Sequence, residues 1–242
     1  MESPRRALPP TSTFSGDAGA ADPALADVLQ RHAAAAVGVA EVVEVLAGLR
    51  VLVPVLAELE EQGVTQGGLH VDKEASAGVV ALRVPDGRTA LPVFTGVEAM
   101  AAWRAEARPV PTAAPRAAAA ALAEGWELLV LDPAGPVTVV LPHPAVRALA
   151  TGRTWVPAVV EGAVRLEVRA AVRSALARTL HLAGAETVAG TRAEVAVVLT
   201  VEPGLDRQAL DTLLAGVSVA LAADEVVTAE VDSLELRVVA AR

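Results

Sequence analysis

The sequence predicts an α+β protein of two small domains, each a mainly antiparallel sheet packed against helices. Three observations carry this. Two hairpins are legible: Gly78–Val84 and Thr89–Phe94 flank Pro85-Asp86-Gly87-Arg88, with its favoured Asp-Gly pair, and Trp126–Leu131 and Pro136–Leu141 flank Asp132-Pro133-Ala134-Gly135. Helical apolar spacing recurs in Ala163–Leu182 and Asp206–Ala222. Between these halves lies a Gly- and Pro-containing connection, Thr151–Gly162, where the chain is divided. The expected organisation is a disordered tail over 1–22, a first domain over 23–158 and a smaller second domain over 163–242.

Taken in order, residues 1–22 are rich in Pro, Ser, Thr, Gly and Ala, which cannot bury enough apolar surface to offset ordering. Asp22-Pro23 reads as an N-cap followed by Pro at the first helical position, opening a helix to about Ala36. A short helix over Ala40–Gly48 follows, then a strand, Arg50–Ala57, in which Pro54 suggests an edge or a bend. Glu58–Gly68 reads as a loop. After the first hairpin, Thr95 is expected to cap a helix from Gly96 to about Ala105, with Glu98 as its capping-box partner. Arg108–Pro111 reads as a short strand, and Thr112 opens an alanine-rich helix that Gly125 ends. Pro142–Ala150 is a short helix. In the second domain, Thr191–Glu202 reads as a strand, and Val226–Val231 and Leu234–Val239 as two more, split by Asp232-Ser233.

Composition excludes several classes of function. Of 242 residues 53% are hydrophobic, and mean hydropathy is +0.47, but alanine and valine inflate both. Glu41, Glu44 and Arg50 interrupt the apolar stretch 33–57, and Thr212–Ala223 falls below the roughly 20 residues a membrane span needs. No apolar segment follows Arg5-Arg6, so no secretory signal is expected and the cytoplasm is the expected compartment. With no cysteine there is no disulfide framework and no thiolate chemistry. A net charge of -9 and the lack of aromatic–basic clusters argue against nucleic acid. Lys73 is the single lysine, and Ile, Asn and Tyr are absent, which points to a GC-rich genome.

Several runs together resemble one family. They are Ser15-Gly16-Asp17, Ala21-Asp22-Pro23, Leu52-Val53-Pro54-Val55, and Leu91-Pro92-Val93-Phe94-Thr95 with Trp103 downstream. Leu129-Val130-Leu131-Asp132-Pro133 with Gly135-Pro136 follows, and Val231-Asp232 falls near the end. The chain resembles the SseB family, the enhanced-serine-sensitivity proteins, in the two-domain form common in high-GC bacteria. The resemblance implies an N-terminal SseB domain and a smaller C-terminal one. It implies no catalytic residues.

No constellation of residues nominates a reaction. His32, His70, His143 and His181 lie far apart without metal-ligand spacing, and are expected to be solvated or capping. Ser218, in Gly216-Val217-Ser218-Val219-Ala220, resembles a nucleophile elbow only superficially, since it falls within a helical stripe where a small residue eases packing on the sheet. Gly63 to Gly68 has neither a dinucleotide fingerprint nor a phosphate-loop lysine. Arg165, Arg169 and Arg173 form a row at helical spacing that either pairs with Asp224, Glu225, Glu230, Asp232 and Glu235 or docks an acidic partner. Phe94 and Trp103 are expected in the core. The expectation is thus a non-enzymatic interaction or regulatory protein with no cofactor, no metal, no nucleic acid and no membrane contact. A protein partner is expected, and a homodimer is left open. The alternative is a small-molecule sensor for amino-acid-like ligands.

Overall fold

A computed structural model describes Phe14, residues 16–56, the backbone of 70–72, and residues 78–241. The chain divides into two compact units, Met1–Leu141 with Leu149–Gly152, and Pro142–Ala148 with Arg153–Arg242. The class is α+β, with small, mainly antiparallel sheets. No helix among the described residues is long and apolar enough to cross a membrane.

The first unit opens with α1 (Pro23–Ala33), where the Asp22 carboxylate accepts from Ala24 N at 2.8 Å. The helix stops short of the expected Ala36 because Ala35 turns left-handed, at φ 54°. α2 (Val39–Leu46) follows, its entry fixed by Glu41 accepting from Gly38 N at 3.0 Å. β1 (Arg50–Val55) pairs antiparallel with β5 (Arg108–Ala113), opposing Pro54 to Pro109. This two-stranded arm is how the chain accommodates a proline within a strand. β2 (His70–Asp72), β3 (Ala81–Arg83), β4 (Thr89–Val93), β6 (Leu128–Leu131) and β7 (Val139–Leu141) form one sheet in the order 2-3-4-6-7.

Both expected hairpins form, β3 with β4 and β6 with β7. At its centre β4 and β6 run parallel, joined through α3 (Val97–Trp103), β5 and α4 (Ala114–Ala123). β6 is a continuous apolar run, buried along its length. Leu52 and Phe94 exchange backbone hydrogen bonds at 2.9 Å, fastening the β1 arm to the end of β4. Phe94 is fully buried, with Leu52, Met100 and Trp103 packed around it. Its ring centroid lies 5.3 Å from that of Trp103, a tilted pair.

α5 (His143–Thr151) carries residues assigned to each unit. In the second unit a three-stranded sheet runs β10 (Leu182–Ala189), β11 (Val195–Val201), β12 (Leu234–Ala240), antiparallel then parallel. Val195, Val197 and Leu199 are fully buried and share a core with Val168 and Val172 of α6 (Leu166–Leu176) and Val217 and Leu221 of α7 (Arg207–Ala222).

Four expectations are corrected. The helix expected over Ala163–Leu182 is shorter: Ala163–Val164 (β9) pairs with Val159–Val160 (β8), and α6 ends at Leu176. Leu182 opens β10, a strand absent from the sequence reading. Val226–Val231 is not a strand. Asp224 caps it at 3.0 Å to Val226 N and to Val227 N, producing helix α8 (Glu225–Glu230). Gly16–Asp22, assigned above to the tail, instead crosses the first unit as an ordered strap. Glu58–Gly68 lies outside the described residues.

Candidate functional site

The parallel pair β4 and β6 places two loops side by side at its carboxyl end, the usual location of ligand sites where parallel strands end. Val93 lies opposite Leu131, and Asp132 N donates to Val93 O at 2.9 Å. One residue beyond Phe94, Thr95 turns its side chain across to Asp132. Thr95 N donates to Asp132 Oδ1 at 2.9 Å, and Thr95 Oγ1 donates to Oδ2 at 2.8 Å. Both residues are 6% exposed. Asp132 is left-handed, at φ 48°, and its carbonyl accepts from Thr138 Oγ1 at 2.8 Å and Gly135 N at 2.9 Å. Burial pushes the Asp132 carboxyl up from its ordinary value, against the two hydrogen bonds from Thr95.

The capping-box expectation for α3 fails here. Its N-cap is Gly96, with no side-chain cap bond, because Thr95 is committed to Asp132.

The strap Gly16–Asp22 lies beside this bracket. Arg50, at the start of β1, donates from Nη1 to the Thr95 carbonyl and from Nη2 to the Ala20 carbonyl. Its Nε and Nη2 edge grips both oxygens of Asp17, with Nη2 to Oδ1 at 3.1 Å. The Arg50 hydrogen bonds, with a further one from Gly19 N, hold the Asp17 carboxyl below its ordinary range. Two glycines allow the close approach. A Cβ on Gly96 would meet Ala21 N and Gly19 O at 2.9 Å, and one on Gly19, which is at φ 78°, would meet Val97 Cγ1 at 2.5 Å.

A cavity lies on either side of the strap. One, of about 580 Å³, is lined by Ala20 and Ala21 together with Thr95, Gly96, Ala102 and Asp132. The other, of about 610 Å³, is lined by Asp17, Ala20, Ala21, Leu49, Arg50 and Ala113. Neither Asp17, Arg50 nor Asp132 is nominated by the sequence on chemical grounds. The signal that could have found Asp17 and Asp132 is their presence within the runs that carry the family resemblance.

Among the described residues, the histidines and Ser218 are not brought together. His32 Nδ1 lies 3.0 Å from Val37 O, and His181 Nδ1 lies 3.1 Å from Glu202 Oε2 on the surface. His143 N donates to Asp232 Oδ1 at 3.1 Å, and the side chain of His70 lies outside the described residues. No group of three or more His, Asp or Glu is arranged to hold a metal among the described residues. Ser218 is exposed and donates back to Leu214 O at 2.9 Å, so it does not ease packing on the sheet. Of the arginine row, Arg165 is tied to Glu230 at 2.9 Å, while Arg169 and Arg173 are exposed.

The second unit has two organising carboxylates of its own. Glu194 accepts from Ala158 N and Asp232 N, each at 2.9 Å, and burial pushes its carboxyl up. Glu235 accepts from Thr191 N at 2.8 Å and from Arg237 and Arg192, and these hold its carboxyl at about 2. A lowered carboxylate stabilises the fold above its unfolded value and loses that contribution as pH falls through the folded one. The unit is therefore expected to lose stability as pH drops from about 4.5 towards about 2, and Glu235→Gln to flatten that loss. Circular dichroism melts across this range check it, and an unchanged slope in the variant contradicts it.

Residues 25–148 match the family described as the SseB protein N-terminal domain. No curated protein and no solved structure matches the chain.

Proposed function

The chain belongs to the SseB family, and from that premise we propose that it works by binding and not by catalysis, as an interaction or regulatory protein of the cytoplasm. One observation supports this reading above others. At the carboxyl end of β4 and β6, the polar side chains are hydrogen-bonded to one another: Asp132 to Thr95, Arg50 to Asp17. The wall they brace is made mainly of Ala, Gly, Val and Pro, with Gln30 and Glu98 among them. Small side chains let the backbone of a partner approach closely, and a volume of about 580 Å³ suits a few residues of a bound segment.

Ala102 and Ala134 are exposed positions on that wall, so a long charged side chain there fills the cavity without disturbing the core. Affinity capture from the native cell with the wild-type chain is expected to recover a protein that both Ala102→Arg and Ala134→Arg fail to recover. Equal recovery by both folded variants, or a metabolite turnover that both variants abolish, overturns the reading. The sensor alternative gives another result in the same proteins. With the ligand held by the C-terminal unit, adding amino acids one at a time would raise the melting temperature of the wild type and of both variants; a flat response throughout removes it.

A further inference from the structure

We propose that the Arg50 fork is a carboxylate-binding site for an external ligand, and that Asp17 is its resident stand-in, carried by a strap that can leave. This deepens the binding reading above by naming the chemistry of the ligand, and it rests on that reading.

The guanidinium is held in two parts. Nη1 is pinned by the Thr95 carbonyl, and Thr95 is fixed in turn by Asp132, so this end belongs to the body of the unit. Among the described residues, the other edge, Nε with Nη2, bonds to the strap: the two Asp17 oxygens and the Ala20 carbonyl. That edge is the one whose paired N–H groups match a carboxylate bidentately, and pinning the far end sets its direction in advance. The Arg50 side chain is 14% exposed. So secluded a fork needs an acceptor at all times, because a partly buried cation left unpaired is costly.

The strap supplies that acceptor but is itself weakly held. Gly16, Ala18, Ala20 and Ala21 are exposed and Gly19 is buried, while the Asp17 side chain, set against Arg50, is 18% exposed. Beyond Arg50, its hydrogen bond to the body among the described residues is Gly19 O accepting from Val97 N at 2.8 Å. A segment with few buried apolar contacts opens at low free energy. Cavities of about 610 and 580 Å³ flank it, and both are lined by Ala20 and Ala21. Its departure joins them into one groove with the fork inside. The ligand class is a carboxylate on a small or extended body: a free small acid, or the C-terminus of a peptide.

The test follows the Arg50 Nε–H resonance of the full chain, identified by its loss in Arg50→Lys, at constant ionic strength. The probes are acetate, trialanine as the free acid, and trialanine amide. Two variants remove the stand-in by independent routes. Asp17→Ala deletes the competing carboxylate, and Gly96→Ala places a Cβ against strap backbone at 2.9 Å and displaces it. In either folded variant, acetate or trialanine acid is expected to shift the resonance saturably. Half-saturation should come at least tenfold below that of the wild type, and the amide should have no effect.

Equal response to acetate and peptide acid assigns the site to small acids, and a tighter peptide acid assigns it to chain termini; either supports the proposal. A response indistinguishable from the wild type, or equal response to the amide, overturns it. Loss of carboxylate binding alongside intact, Ala102→Arg-sensitive partner capture sinks this proposal alone and leaves the binding reading standing.

Discussion

Replacing Phe94 with alanine is expected to destabilise the first unit by about 3–5 kcal/mol, the cost of deleting a large ring from a core that only partly collapses. Phe94 is fully buried, and the ring beside it, that of Trp103, already packs against it at 5.3 Å between centroids. Leu52, Met100 and Trp103 would line the void. The loss also reaches the Thr95–Asp132 bracket, because the residue that follows is Thr95, whose position depends on how β4 ends. Denaturant unfolding followed by tryptophan fluorescence measures the effect. A loss below about 1 kcal/mol would mean that the surrounding side chains close the gap, and that the ring does not anchor this core.

The second large effect is expected at Asp132, where two substitutions should diverge. Asp132→Ala leaves Thr95 N–H and hydroxyl without their acceptors and puts alanine into a left-handed conformation, together about 2–4 kcal/mol. Asp132→Asn should remain near wild type. Its Oδ1 accepts from Thr95 N, its amide donates to Thr95 Oγ1, and asparagine tolerates positive φ. The two also differ with pH. Burial raises the Asp132 pKa from 3.8, so the folded state holds this proton more tightly than the unfolded chain. Its stabilising contribution is therefore complete below about 3.8 and lost as pH rises through the folded value. Asp132→Asn should remove that decline. Urea midpoints of the three proteins at successive pH values decide it; equal losses for Ala and Asn would show that the bracket depends on the carboxylate itself, and not on the shape and hydrogen-bonding capacity that Asn retains.

What the sequence made legible follows from how local the deciding interaction is. The two hairpins could be read because their turns are short and their strands apolar. Asp22 could be read as a cap because its acceptor and donors lie within three residues. α8 was misread because Glu225–Glu230 contains two adjacent valines, which favour strands, whereas the Asp224 cap decides the outcome. β10 escaped notice because Leu182–Ala189 has small residues, Gly184 and no clear alternation. It is a strand because Val195–Val201 lies beside it as a template.

The site was less legible than the fold for the same reason. Thr95 satisfies every local requirement of a cap, yet its partner is 37 positions away. Asp17 and Arg50 are 33 apart, and nothing local marks them as a pair. Arg165, by contrast, was placed in a row whose balance by Glu230 was among the expected outcomes, and that pair forms. Long-range pairing of polar groups leaves no periodic trace in a sequence. Here it appears only as membership in family-like runs.

The most direct test of the account is hydrogen–deuterium exchange on the captured partner complex, compared with the free chain. Slowed exchange confined to the backbone around 95–102 and 132–137, with the strap 16–22 either protected or released, is the predicted result. Protection confined to the second unit, with residues 95–102 and 132–137 exchanging as in the free chain, would contradict it.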